Sequence, residues 1–151
     1  MSFKKKKIIC IVTARKGSKG IKNKNISKIN GKPLLFYPIS NAIKSKHIDK
    51  VLLSTDSYSY SRIGKKYGAL FNKLRPKKFS GHNSDSVSAV LYEIQYNFKL
   101  ENIKYDYVVL LEPTSPLTSY KIIDKCIKKL INHNYAKSLI GVGLVLSLIH
   151  I

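Results

Sequence analysis

Residues Ile8 to Val12, IICIV, form an unbroken apolar run rich in β-branched side chains. A strand with one wet face alternates apolar and polar residues. A strand without that alternation must be covered on both faces, as in the middle of a parallel sheet. Comparable runs recur at Val51–Ser54 and Tyr107–Leu111, and helical spacing fills the intervals. Leu35, Ile39, Ala42 and Ile43 share one side of a helix over Leu34–Lys46, although Pro38 would kink it if the helix began at Pro33. Ser57 to Tyr67 predicts a weaker helix that Gly68 can end as a left-handed cap. Ser84 or Asp85 caps a third helix, with Val87, Val90, Leu91, Ile94 and Phe98 as its inward stripe. Ser119 caps a fourth, with Ile122, Ile123, Cys126, Ile127, Leu130 and Ile131 inward. Strands alternating with helices of this length predict an α/β fold with a mostly parallel sheet flanked by helices. Ala69–Asn72 and Ser138–Val142 are expected to add a peripheral strand and a further buried one.

The chain has 151 residues with 44% apolar side chains, which suits a single globular domain. Its 28 basic and 8 acidic residues give a formal charge of +20. Nucleic acid, an anionic membrane surface and a polyphosphate ligand would each be attracted by that field. Most of the lysines also read as solvated faces, since Lys, Ile and Asn are abundant throughout. No stretch reaches the roughly 20 apolar residues that a membrane span needs. The four histidines have no metal-ligand spacing, and the two cysteines, Cys10 and Cys126, have no CxxC spacing. With no secretory signal ahead of them, both read as buried thiols in a reducing, cytoplasmic setting.

The first strand runs into TARKGSKGIKNKN, residues Thr13 to Asn25. Ligands of open α/β sheets bind beyond the carboxyl ends of the strands, and a glycine-bearing loop there can turn its amides toward an anion. Gly17 and Gly20 are expected to allow close approach and positive φ. Ser18 adds a hydroxyl, and Arg15, Lys19 and Lys24 can surround a polyphosphate. The spacing is neither that of a P-loop nor that of GxGxxG, so taken alone the loop reads equally as a solvated lysine-rich turn.

Taken with GKPLLFYPI, VLLSTDS, LRP and LLEPTSPLT, the loop resembles in order and spacing the acylneuraminate cytidylyltransferases, or CMP-sialic acid synthetases, from about Ile8 to about Ile140. The resemblance implies a Rossmann-like fold of the nucleotide-diphospho-sugar transferase type. It also implies activation of a nonulosonic acid (sialic, legionaminic or pseudaminic acid type) by CTP with Mg2+, giving the CMP-sugar and pyrophosphate. Carried over by position, Arg15 and Lys19 are the catalytic, phosphate-holding residues, and Ser18, Gly20, Lys24, Asn25, Arg75 and Ser86 complete the nucleotide site. Glu112, Thr114 and Ser115 fall at the sugar. Glu112 stands where glutamine is common and Thr118 where arginine is usual, which points away from N-acetylneuraminate toward legionaminic or pseudaminic acid. The resemblance further implies a cytoplasmic enzyme, homodimeric at full length, with residues 1–143 forming the N-terminal part of the domain and residues 144–151 an atypical apolar tail. Its metal-binding aspartates would lie beyond Ile151.

Some readings stay open at this point. Arg75 can be a surface arginine paired with a carboxylate, Ser86 a capping serine, and Asp56 either part of the site or the cap of the next helix. A cytidylyltransferase for an eight-carbon sugar acid is the alternative enzyme, and a basic nucleic-acid-binding module the alternative from another class. The latter needs aromatics interleaved with lysines on one surface.

Overall fold

The computed structural model describes residues 6–17, 20–81, 84–133 and 135–141. In chain order the elements are β1 (Ile8–Thr13), a short hairpin of β2 (Lys28–Ile29) and β3 (Lys32–Pro33), α1 (Phe36–Lys44), β4 (Lys50–Ser54), α2 (Tyr58–Lys66), α3 (Ser86–Glu101), β5 (Tyr107–Leu111) and α4 (Tyr120–Ile131). Three strands make the main sheet in the order β4-β1-β5. Both pairings are parallel, with Ile9 opposite Lys50 on one side and Ile8 opposite Tyr107 on the other. β1 is buried at every position, as its unbroken apolar run requires.

Helices cover both faces. Cys10, Val12 and Leu53 pack with Leu35, Ile39 and Ala42 of the α1 region and with Tyr60 of α2. Ile8 packs with Ile123 and Ile127 of α4, beside Val109 and Leu111. On the opposite face, Ile9, Ile11 and Leu52 meet Val90 of α3. The result is an α/β/α layering with the expected parallel sheet.

Several local expectations change. α1 begins at Phe36, so Pro38 lies in the first turn, where its missing N–H has no helical acceptor to lose. Gly68 takes φ +94 at the end of α2, as a left-handed cap should. Ala69–Asn72 is no strand: Leu70 makes a single parallel bridge to Leu52. The chain then turns away so that Arg75 N can donate to Thr55 O at 2.8 Å. Asn30 and Gly31, at φ 49 and 74, turn the β2–β3 hairpin. This is the Asn-Gly pairing that favours a two-residue hairpin turn. Residues 138–141 are not a strand, and Val142 and the apolar tail lie outside the described residues.

α3 turns only part of its expected stripe inward: Val90 is buried against the sheet and Ile94 packs beside it. Its buried residues are Ala89, Val90, Glu93 and Asn97, whereas Val87, Leu91 and Phe98 are exposed. The polar positions have work on the inner side: Asn97 Oδ1 accepts from Lys50 Nζ at 2.8 Å, and Glu101 also takes that ammonium. In α4, Ile123 and Ile127 are buried as expected, but Ile122 is exposed. Cys126 is only partly buried, unlike Cys10. β5 borders the sheet among the described residues, leaving Val108 and Leu110 each 39% exposed on the α3 side.

Candidate active site

Because β1, β4 and β5 run parallel, their carboxyl ends lie along one edge, and the loops that leave them meet there. Lys16 N, in the loop after β1, donates to Asp56 Oδ1 after β4 at 2.8 Å. Asn25 Nδ2 donates to Arg15 O at 2.9 Å, and Asn25 O accepts from Leu35 N at 2.8 Å. Asn25 is thereby buried as the internal brace of the basic loop. Arg15 itself reaches across the cleft, its guanidinium donating to Gly81 O at 3.0 Å.

These loops enclose a cleft of about 350 Å³ lined by Thr13, Arg15, Gly20, Lys24, Asn25, Arg75, Phe79, Ser84, Asp85, Ser86, Glu112, Pro113 and Thr114. Arg15, Gly20, Lys24, Asn25, Arg75, Ser86, Glu112 and Thr114 are therefore brought together. Ser115 is not; it sits beyond the rim in the turn closed by Ser115 N to Glu112 O at 3.2 Å. Ser18 and Lys19 lie outside the described residues. Gly17 does not adopt positive φ, and a side chain at Gly17 or Gly20 would meet nothing within 4 Å. Among the loop's described residues Asn23 is left-handed, at φ 56.

The open readings resolve on geometry. Arg75 is buried, only 6% exposed, with its Nε lacking a hydrogen-bond partner. It is not a surface arginine. Burial pulls its pKa down, and Asp56 and Glu93 act to raise it again against the repulsion of Arg15. Asp56 does not cap α2, since Ser57 does; it ties the basic loop to the end of β4. Ser86 does not cap α3 either. Asp85 accepts from Ser88 N at 2.6 Å in that role, and these bonds lower the Asp85 pKa. Ser86 Oγ is thus free to donate to Glu112 Oε1 at 2.7 Å. That bond joins a residue predicted for the nucleotide to one predicted for the sugar.

Three cationic residues, Arg15, Lys24 and Arg75, thus share the lining of a cleft at the strand ends with two acidic ones, Asp85 and Glu112. The arrangement can hold a polyanion on the cationic side and accept hydrogen bonds from a polyhydroxylated molecule at Glu112. Among the described residues no group of three or more His, Cys, Asp or Glu side chains could hold a metal ion. No helix among them is long and apolar enough to cross a membrane. Sequence reasoning did not find Phe79, which lines the cleft, or Glu93, a carboxylate buried on α3. An aromatic three residues past Arg-Pro is a weak signal, and Glu93 was hidden in a helix whose apolar stripe pointed elsewhere.

A model of the cytidylyltransferase family matches residues 9–146. Over 127 residues the chain is 37% identical to a pseudaminic acid cytidylyltransferase of Campylobacter jejuni, covering 84% of this chain and 54% of that protein. It is 37% identical over 122 residues to an N-acylneuraminate cytidylyltransferase of Escherichia coli, covering 81% and 28% respectively. To a CMP-N,N'-diacetyllegionaminic acid synthase of Legionella pneumophila it is 30% identical over 137 residues, covering 91% and 58%. The chain therefore spans about half the length, or less, of these curated relatives. Among solved structures, CMP:2-keto-3-deoxy-manno-octonic acid synthetase complexed with CTP is similar in fold, with a TM-score of 0.69 at 16% identity over 83% of this chain and 47% of that one. A cytidylyltransferase from Leptospira borgpetersenii gives 0.65 at 21%, over 86% and 51%. A match to the family model over nearly its whole length places this chain in the cytidylyltransferase family.

Proposed function

We propose that the chain forms the nucleotide-binding part of a CMP-nonulosonate synthetase, and that its cleft takes CTP and a nonulosonic acid of the sialic, legionaminic or pseudaminic type. The observation that carries this is the convergence of Arg15, Lys24 and Arg75 with the hydrogen-bonded Ser86–Glu112 pair on one strand-end cleft. In the reaction the anomeric hydroxyl of the sugar attacks the α-phosphorus of CTP. A new P–O bond forms, the bond to the bridging oxygen of the β-phosphate breaks, pyrophosphate leaves and the hydroxyl proton is released. Such a transfer gains most from positioning and from charge placed against the phosphoryl oxygens. Arg15 and Arg75, with Lys19, supply that charge; Gly20 and Ser18 give the phosphates room and a donor, while Lys24 and Asn25 hold the loop's far side. Glu112 and Thr114 face the sugar, and a carboxylate there selects for hydroxyl or amide N–H donors.

Magnesium belongs to the same reading. The described carboxylates do not form a cage for it: Asp56 is engaged by Lys16 N, Asp85 by Ser88 and Glu112 by Ser86. Magnesium commonly keeps waters and binds through substrate phosphates, so it would arrive with the triphosphate. A cytoplasmic setting and a homodimer of the full-length protein complete the proposal. The eight-carbon alternative is less favoured, because the relatives at 30–37% identity are named for nonulosonic acids, whereas the octonic acid enzyme is 16% identical.

Calorimetric titration with CTP, UTP and ATP in the presence of magnesium tests the site. CTP-selective binding that is lost in Arg15→Ala is expected; no binding, or equal binding of all three, would overturn it. Pyrophosphate release on adding each candidate sugar acid then identifies the acceptor.

A further inference from the structure

Among the described residues that line the cleft, Phe79 is the one aromatic, and it shares that lining with Arg15, Arg75 and Ser86. The proposed reaction gives it no part. Its ring is half-buried and joins none of the three apolar clusters packed on the sheet. A phenyl ring that adds to no core, yet lines a cleft of charged and hydroxyl groups, has a flat apolar face to offer a ligand.

The ring is also held in place. A tight turn over Lys77–Phe79 follows Pro76, closed by Phe79 N to Pro76 O at 2.9 Å and Ser80 N to Lys77 O at 3.0 Å. Tyr92 of α3 packs against Phe79, with ring centroids 5.0 Å apart and planes at 34°, and Tyr96 stacks on Tyr92 at 6.3 Å and 16°. Lys73 Nζ then lies 5.0 Å from the Tyr92 centroid and 3.6 Å from that of Tyr96. Aromatic pairs and cation–ring contacts both attract beyond simple area burial, so Phe79 is the cleft end of a braced pile. Lys78 Nζ stands 4.8 Å from the Phe79 centroid; that side chain is exposed and can give way to a ligand. The same turn is tied to the cationic residues of the cleft. Arg75 precedes Phe79 by four positions, and the Arg15 guanidinium donates to Gly81 O at 3.0 Å just beyond it.

We propose that Phe79 is the platform on which the nucleobase stacks, while Arg15 and Arg75 take the phosphates. This rests on the cleft taking CTP. Every base has a π face, so the ring supplies affinity and orientation, and the choice of cytosine is left to hydrogen bonds. A base fixed by its stack also limits where the α-phosphate can lie, which is what a displacement at phosphorus needs.

The chain has no tryptophan, so Phe79→Trp places a single fluorescent reporter at this position. With magnesium present, CTP is expected to quench its emission saturably, at concentrations matching the calorimetric dissociation constant. Inorganic tripolyphosphate, which carries no base, should leave the emission unchanged. Phe79→Leu keeps an apolar side chain against Tyr92 but removes the π face, and should bind CTP roughly tenfold more weakly. Its affinity for tripolyphosphate should stay within about twofold of that of the unaltered chain, and Phe79→Tyr should bind CTP as the unaltered chain does. CTP that binds Phe79→Trp without changing its emission would overturn the proposal. So would CTP binding by Phe79→Leu within about twofold of the unaltered chain, or an equal loss for CTP and tripolyphosphate, which would mean that the turn and its cations had moved. Failure of the unaltered chain to bind CTP would overturn the proposed function itself, and this role with it.

Discussion

Replacing Asp56 separates the anchoring of the basic loop from its charge. The contact is one hydrogen bond, Lys16 N to Asp56 Oδ1 at 2.8 Å, joining the loop after β1 to the end of β4. A hydrogen bond to a charged acceptor contributes about 1.5–3 kcal/mol net, and because Lys16 is exposed the lower figure applies. For a chain of this length about 1.5 kcal/mol corresponds to roughly 3–6 °C in melting midpoint. Asp56→Ala should show that fall, measured by circular dichroism. Asp56→Asn keeps an acceptor of the same shape and should fall by less than about half as much. In calorimetry with CTP, Asp56→Ala should bind several-fold more weakly, because the loop must then be ordered by the ligand. Asp56→Asn should bind at least as well as the unaltered chain, since it removes a negative charge near the triphosphate. If both variants weakened binding equally, the carboxylate's charge would be what matters, acting through Arg75, and the anchoring argument would be refuted.

Other expectations follow from particular contacts. A side chain at Gly64 would bring its Cβ within 2.4 Å of Leu53 Cδ2, so Gly64→Val should destabilise the chain by about 1–3 kcal/mol in urea unfolding. Burial raises the Cys10 thiol pKa far above its ordinary range, while Cys126 is only partly buried; native-state alkylation followed by mass spectrometry should label Cys126 well ahead of Cys10, and equal rates would contradict the fold. The raised Glu93 pKa means that its ionisation in the folded chain costs stability. The stability gap between Glu93→Gln and the unaltered chain should therefore be absent at low pH, where the carboxyl is protonated in both folded and unfolded states, and should open in favour of Glu93→Gln as pH rises above the unfolded value of 4.5. Ser86→Ala removes the donor to Glu112 and should change affinity for the sugar acid more than for CTP, read by comparing the two KM values.

Much of the site was legible because its residues stand at strand ends, and strand ends follow from local pattern. The unbroken run before Thr13 located the basic loop, and LRP and EPTSPL located two further walls by resemblance. What was not legible depended on neighbours far away in the chain. Asp56 seemed equally a cap or a site residue until Ser57 proved to be the cap. Thr114 and Ser115 were both placed at the sugar by resemblance, and the turn after Glu112 leaves Thr114, but not Ser115, in the lining of the cleft.

The sequence by itself determined the layer order: the run Ile8–Val12 has no polar residue to offer solvent, so it had to lie inside a parallel sheet, and the helices between strands had to cover both faces. It also determined the chemical character of the loop, since cations and glycines after a central strand are fixed by composition and spacing alone. Only the tertiary structure decided which way α3 faces. Val87, Leu91 and Phe98 of its apolar stripe are exposed, yet the helix turns Glu93 and Asn97 inward beside Val90, and Asn97 there accepts from the Lys50 ammonium that β4 brings to the sheet's buried side. Periodicity counts apolar residues along one helix; it cannot register a charge arriving from another strand.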